Sequence, residues 1–576
     1  MADYMHRPPL SVDTSGRIYL NTVSHNYHMA YRFVSSFAES LVISETTLVF
    51  ILTPHSLYTG MATMNMNAKD IIWGLTRLCK EKFIDDDLKD FICKWSVNCE
   101  IVTLVLKMNQ YYAESKSPKD SQNVLQCFKD EYGNDVHSFE IDPSQVENVK
   151  HCLLNKLNYP MLEEYNFSMN FVNPELTIQM KPQARQRSYQ AECESNIFIN
   201  GRARSGLIVL PFHAGKSFVG VSTACKIRKC CLCLVSNVAS VDQWASQFRL
   251  WSNIEGEKIS LIKSDTKQIF RGLAGVVITT YEMLATFGGE TTYKDYEKTI
   301  GEVLNKEWGL LLLDEVDDVP EQVFHKVISI TKSHCKLGLT ATLVRKDEKI
   351  MDLKFLIGPK LYEANKLDLV KEGFIPDVLC FEVQCPMTKE FSSEYFKTEN
   401  LKRKQALSVL NPNKLRSCEF LIRAHEQEGH KIIIFGDNLF ALTAYANKLQ
   451  KPMICGATSH DKKTSILEDF KSDFVYNTIF LSKVGYNSID ILEANVIIQI
   501  SSHTGLPHQE ARRLGHILRA VEIELPKEKD DPSFYSLVSM ETQEVADSIA
   551  RQQFFVDQGY TVELLYAEDD MVILEQ

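Results

Sequence analysis

The sequence predicts an α/β protein: two parallel-sheet lobes in tandem, preceded by a smaller mixed α+β N-terminal domain. Three observations carry this. From about Ser205, short runs apolar on both faces (207–210, 231–235, 276–279, 310–313 and 336–339) alternate with helix-period segments such as 241–251 and 322–333. Strands buried on both sides and separated by helices belong to parallel sheets. The alternation resumes after a connecting stretch, 361–377, with strand-like runs 432–435, 478–481 and 496–500 and helices 415–428 and 509–520. Finally, 576 residues exceed what one core can hold, while 44% hydrophobic and 24% charged residues exclude disorder as the overall state.

The first 115 residues have a different pattern. Amphipathic helices, including 71–79 and 88–95, precede a strand-like run, 101–106, and a hairpin partner ending at Tyr112. Such an arrangement is compatible with a winged helix-turn-helix, which reads DNA or docks a protein. Residues 115–142 are polar enough for a linker, and 143–157 are helix-like. No apolar run approaches the ~20 residues of a membrane span, so no membrane partner is expected. Fifteen cysteines are scattered, and Cys230, Cys231 and Cys233 lie inside a strand-like run without a second ligand pair at zinc spacing. Buried thiols in a reducing compartment are the expectation.

The net charge of −12 excludes a uniformly basic nucleic-acid coat or a polybasic membrane binder. Its distribution is uneven. Residues 402–416 hold five basic side chains and no acidic one, 181–204 hold five basic against two acidic, and 561–576 hold five acidic and none basic. Phosphate contacts need only local Lys and Arg, so any grip on a polyanion should be modest and salt-sensitive.

Two segments carry chemistry. The run 207–210 leads into Pro211-Phe212-His213-Ala214-Gly215-Lys216-Ser217 and then into helix-forming residues. Strand, Gly-Lys-Ser and helix is the setting of a Walker A loop, whose backbone N–H groups cradle phosphates while Lys216 reaches the β/γ oxygens and Ser217 ligates Mg²⁺. Leu210 stands where that pattern begins with glycine, and Gly-Lys-Ser alone is a weak signal that its setting strengthens. The second segment, Leu310-Leu311-Leu312-Leu313-Asp314-Glu315-Val316-Asp317, is a buried strand ending in carboxylates, where a Walker B pair belongs. Asp314 would hold Mg²⁺ and Glu315 would orient the attacking water; the alternative is a strand terminus with solvated acids.

These segments, with Arg187-Ser188-Tyr189-Gln190, Gly338-Leu339-Thr340-Ala341-Thr342-Leu343-Val344-Arg345, the stretch from Phe355 to Asn365, Ser482-Lys483-Val484-Gly485, and Gln509-Glu510-Ala511 with Arg513, Gly515 and Arg519, resemble the ordered motifs of superfamily 2 helicases. Among those they are most similar to the XPB family, DNA translocase subunits of the transcription and repair factor TFIIH. The likeness runs from about Arg7 to Tyr566.

The resemblance implies two RecA-like lobes, 181–365 binding ATP and 366–576, behind a partner-docking domain, 1–115, and a small damage-recognition-like region, 116–180. It implies ATP and Mg²⁺ as cofactors, with Arg187, Gln190, His213, Ala214, Gly215, Lys216, Ser217, Gly485 and Asp490 around the nucleotide, and Ser217 and Asp314 on the metal. Lys216, Asp314, Glu315, Arg513 and Arg519 would be catalytic, and Thr340, Thr342, Arg345, Lys346 and Asp347 would couple the nucleotide to DNA. The implied function is an ATP-dependent double-stranded DNA translocase and 3′–5′ helicase in the nucleus, opening promoters and damaged DNA alongside other TFIIH subunits bound through the N-terminal domain.

Several positions depart from the family. His213 replaces a glycine, Asp317 replaces a histidine, and Gly515-His516 stands for Gly-Arg. Histidine has a reference pKa near 6.5 and lacks the planar fork of arginine. Leu506-Pro507-His508 replaces a basic pair, Tyr486 and Asn487 replace an acidic and hydroxyl pair, and Arg345-Lys346-Asp347 stands for Arg-Glu-Asp. Hydrolysis is therefore expected but open to slowing at His213, Asp317 and His516. The competing expectation is a catalytically weakened scaffold that binds nucleotide or DNA in the same complex.

Overall fold

The computed structural model describes residues 8–13, 16–43, 46–54, 56–57, 60–61, 66–79, 84–96, 102–115, 138–153, 161–199, 201–263, 267–268, 273–286, 300–341, 350–472, 476–482, 494–501, 532–557 and 559–567. Two compact units result, Met1–Pro211 with Gly215–Ala364 and Phe212–Ala214 with Asn365–Gln576.

The first unit begins with β1 (Leu10–Val12), β2 (Arg17–Asn21), β3 (Glu39–Ile43) and β4 (Thr47–Ile51), an antiparallel sheet in the order β1-β2-β4-β3. Alternate residues of β2 and β4, among them Ile18, Leu20, Leu48 and Phe50, face one core, as expected of a sheet buried on a single side. Helices Tyr27–Ser35, Ala68–Leu78 and Asp86–Ser96 supply other members of that core, and Asn67 and Asp70 cap the second of them reciprocally.

A second sheet follows: β5 (Val102–Lys107), β6 (Gln110–Ser115), β7 (Ser138–Ile141), β8 (Met161–Tyr165), β9 (Phe198–Ile199) and β10 (Arg202–Arg204), ordered β7-β6-β5-β8-β10-β9. The β5–β6 hairpin thus differs from a wing closing on the preceding helices. It pairs in parallel with β8, and the sheet continues across residue 115.

Only Ser205 separates this sheet from the next. β11 (Gly206–Val209), β12 (Cys231–Val235), β13 (Ile259–Ile262), β14 (Lys267–Gln268), β15 (Val276–Thr280), β16 (Leu310–Asp314), β17 (Lys336–Thr340) and β18 (Lys360–Glu363) are ordered β14-β13-β15-β12-β16-β17-β11-β18, parallel except for β14. Every residue of β11, β12, β15 and β17 is buried. Cys230, Cys231 and Cys233 are buried and unbridged.

Charged groups weld the second sheet to the third. Glu163 of β8 accepts from Lys150 and, at 2.6 Å, from Lys336 of β17. Burial alone would raise the Glu163 pKa, but the two ammoniums outweigh it and hold the group at about 2. Glu307 bonds His334 at 2.5 Å and accepts from the Asn109 backbone at 3.0 Å, while the Tyr165 ring stacks on His334. Ser205 donates its N–H to the Glu163 carbonyl and accepts from the Lys336 N–H, each at 3.0 Å.

The second unit holds β19 (Leu379–Cys385), β20 (Ile432–Gly436), β21 (Met453–Ile454), β22 (Thr478–Ser482), β23 (Val496–Gln499), β24 (Ser533–Ser539) and β25 (Val562–Tyr566), all parallel, in the order β21-β22-β20-β23-β24-β19-β25. Ile433 and Phe435 enter one core and Ile432 and Ile434 the other, so a continuous apolar run serves both faces. Across the ends of β19 and β24, Asn411 donates to the carbonyls of Cys385 and Pro386 and to the Ser539 hydroxyl. Lys414, its side chain fully buried, donates to the Ile500 carbonyl at 2.9 Å and to Glu544 at 2.6 Å. No helix among the described residues is long and apolar enough to cross a membrane.

Candidate active site

Three neighbouring strands of the eight-stranded sheet, β16, β17 and β11, end on one edge with residues singled out in the sequence. Parallel strands leave their sheet together at the carboxyl end, where the connecting loops form a ligand crevice. β11 runs into a loop in which His213 (φ 64°) and Gly215 (φ 80°) are both left-handed. Such alternation curls backbone N–H groups into a concavity, to which the 12-residue helix Lys216–Ile227 adds its positive end.

Glycine is required at 215 for a second reason. A Cβ there would lie 2.4 Å from Gln190 Nε2. Gln190 is aimed at the loop by its own helix, Ser188–Ile197, where its Oε1 accepts from the Arg187 N–H at 3.0 Å. The Arg187 guanidinium donates to the Tyr189 hydroxyl at 3.2 Å. His213 has no such freedom, and holding an L-residue in this region costs roughly 1–2 kcal/mol.

Asp314 closes β16. Its Oδ2 accepts from the indole N–H of Trp244 at 2.7 Å, and its carbonyl accepts from the Tyr281 hydroxyl at 2.9 Å. Trp244 lies in the core of helix Val238–Trp251, so its only polar atom is spent on the carboxylate. Burial first, and then Asp314 itself, push the Tyr281 pKa up, keeping the phenol a donor. Glu315 turns left-handed (φ 49°), which separates its side-chain direction from that of Asp314, and its Oε2 accepts from the Ser236 hydroxyl at 2.8 Å. Ser236 directly follows β12.

The Thr340 hydroxyl, at the end of β17, donates to Asp317 Oδ1 at 2.6 Å. Asp317 keeps some exposed surface but is closely surrounded, and the lost hydration raises its pKa, as does Glu315, against the pull of Thr340 and Lys216. The bond ties the carboxylate box to β17 within the first lobe.

The edge therefore gathers Gln190, the 213–217 loop, Asp314, Glu315, Asp317 and Thr340. Ala214 is buried, while Lys216 and Ser217 are half-buried at the helix start. Thr342, Arg345, Lys346, Asp347, Gly485, Asp490, Arg513 and Arg519 lie outside the described residues, as do Tyr486, Asn487, Leu506, Pro507, His508 and His516. Trp244, Ser236 and Tyr281 escaped the sequence reading. Only Ser236-Asn237, a polar pair at a strand end, offered a local signal, because Trp244 and Asp314 are 70 positions apart.

The family described as "ERCC3/RAD25/XPB C-terminal helicase" matches residues 369–575, and "Type III restriction enzyme, res subunit" matches residues 183–345. Two Arabidopsis thaliana proteins named general transcription and DNA repair factor IIH helicase/translocase subunits XPB2 and XPB1 are each 54% identical, over 97% of this chain and 78% of theirs. The XPB subunit of Dictyostelium discoideum is 44% identical over 97% of this chain and 77% of its own length.

Proposed function

The chain belongs to the XPB family of superfamily 2 helicases, and on that premise we propose that it is an ATP-dependent double-stranded DNA translocase and 3′–5′ helicase subunit of a TFIIH-like complex. It would act in the nucleus, opening RNA polymerase II promoters and damaged DNA for nucleotide excision repair, with other TFIIH subunits docking on its N-terminal domain. The observation that carries the reading is the convergence of a Gly-Lys-Ser loop, Asp314, Glu315 and Thr340 on the carboxyl ends of adjacent parallel strands.

Backbone N–H groups of the 213–217 loop would bind the phosphates of ATP, and the Lys216 ammonium would neutralise charge gathering on the β/γ oxygens. Arg187 and Gln190 would contact the base, Gln190 from a side chain already pressed against Gly215. The hydroxyl of Ser217 and the carboxylate of Asp314 are hard oxygen donors and suit Mg²⁺, which when bound offsets phosphate charge. Trp244 holds the Asp314 carboxylate in one orientation. Glu315, braced by Ser236, would orient the attacking water and hold its proton. Gly485, Asp490, Arg513 and Arg519 would complete the nucleotide site from the second lobe's sequence. Thr340 with Thr342, Arg345, Lys346 and Asp347 would pass the nucleotide state to the DNA track, and the Thr340–Asp317 bond supports that link.

The test is ATP hydrolysis by the purified chain with and without duplex DNA, beside Lys216→Ala and Glu315→Gln. Hydrolysis stimulated by DNA and abolished in both variants is expected. If all three preparations are equally silent with partner subunits present, the translocase reading fails.

A further inference from the structure

Far along the sequence from the nucleotide motifs, His425-Glu426-Gln427-Glu428-Gly429-His430 ends the helix Pro412–Gln427. Gly429 is left-handed (φ 76°), its N–H bonds the Glu426 carbonyl at 3.1 Å, and the His430 N–H bonds the His425 carbonyl at 2.9 Å. That pair of bonds is a Schellman closure, which brings the side chains on its two flanks together. Here both flanks are histidines, and their Nδ1 atoms are 3.0 Å apart. An oxygen of Glu428 lies 3.4 Å from Nδ1 of His425 and 3.2 Å from Nδ1 of His430.

Two imidazole lone pairs this close repel unless a positive centre lies between them. A shared proton needs only the two nitrogens and leaves the converging carboxylate unexplained. A tetrahedral ion bound at roughly 2.05 Å separates its ligand atoms by about 3.3 Å, close to all three distances. The outer contacts agree with this. His425 Nε2 is 3.1 Å from the Tyr535 hydroxyl, a partner that can accept its N–H and so leave Nδ1 with its lone pair. Tyr535 is itself immobilised by stacking on Phe381, with ring centroids 5.0 Å apart. The helix C-terminus adds negative potential, which favours a cation. Both imidazoles are largely buried while Glu428 is 57% exposed, so water can reach a fourth position.

We propose that His425, Glu428 and His430 form a binding site for one divalent transition ion of the zinc class, with water as the fourth ligand. Nitrogen-rich ligands exclude Mg²⁺ and Ca²⁺ as occupants, so the site is distinct in chemistry from the Ser217 and Asp314 oxygens.

The test uses the full chain after chelation, titrated calorimetrically with Zn²⁺ alone and followed by absorbance with Co²⁺ as a spectroscopic substitute. One equivalent should bind with tetrahedral cobalt bands. His425→Gln and His430→Gln should each weaken binding by at least about tenfold, and Tyr535→Phe, which keeps the stacked ring, by roughly 10- to 100-fold through loss of the outer contact. Glu419→Gln, on the same helix but outside the cluster, should bind as the wild type does. Retained circular dichroism separates loss of ligands from loss of fold. No binding by the wild type, or equal binding by the two histidine variants, overturns the proposal.

Discussion

The two parallel sheets share strand polarity and two-sided burial, yet β16 and β17 of the first and β19 and β24 of the second finish their carboxyl ends in opposite ways. In the first, Asp314, Glu315 and Asp317 stay at the rim, braced by Trp244, Ser236 and Thr340. In the second, Asn411 closes the ends of β19 and β24 while Lys414 takes up the Ile500 carbonyl beside them, just past β23. A carboxyl edge can thus hold charge in place for chemistry or consume polar groups for cohesion. The same architecture does both within one chain.

This contrast predicts that substitutions at the carboxylates of the first edge change turnover and those at Asn411 and Lys414 change stability. The largest effect should come from Glu315→Gln, which should lower DNA-stimulated ATP hydrolysis by roughly 10²- to 10⁴-fold with little change in the thermal midpoint. A large loss of stability instead would break the comparison. Lys414→Met should destabilise the second unit by about 3–5 kcal/mol in urea unfolding, because it strands Glu544 beside buried carbonyls. An unchanged midpoint would mean that Lys414 contributes no cohesion.

The weld between the second and third sheets sharpens the contrast through pH. The Glu163 pKa of about 2 in the folded chain lies below the ordinary 4.5, so its stabilisation is complete above about 4.5 and is lost as pH falls from there through 2. Acid should therefore remove about 3 kcal/mol from the first unit, and Glu163→Gln should flatten that pH dependence in unfolding measured from pH 6 to pH 2. Trp244→Phe keeps the ring but loses the N–H, and turnover should drop about tenfold, the scale of one hydrogen bond to a charged group. The smallest effect belongs to His213→Gly. Relief of the left-handed histidine should raise turnover roughly two- to fivefold, and a decrease would mean that the imidazole itself contacts phosphate.

Much of the fold was legible because parallel strands buried on both faces leave unbroken apolar runs, such as 231–235 and 310–313, that few other structures require. The nucleotide loop was legible for a different reason: Gly215, Lys216 and Ser217 are adjacent in sequence, so chemistry and spacing coincide. The braces were not. Trp244 looks like any core tryptophan of an amphipathic helix, and its bond to Asp314 exists only once β12 and β16 are neighbours. The hairpin at 102–115 misled because local pattern reveals a hairpin but not its third strand, and β8 joins it from some fifty residues further on. His425 and His430 were silent for the same reason as the braces: a helix end with two histidines is unremarkable until Gly429 folds them together.

One residue of connection, Ser205, joins the small sheet to the strand that feeds the phosphate loop, and both its N–H and its hydroxyl are engaged across that joint. A machine that moves along a track needs something firm to push against. With β10 leading into β11 without slack and Glu163 clamped between Lys150 and Lys336, the small sheet cannot shift without carrying β11 along. Whatever docks on the small sheet would therefore act on the strand that feeds the phosphate loop through a single connecting residue and the Glu163 clamp.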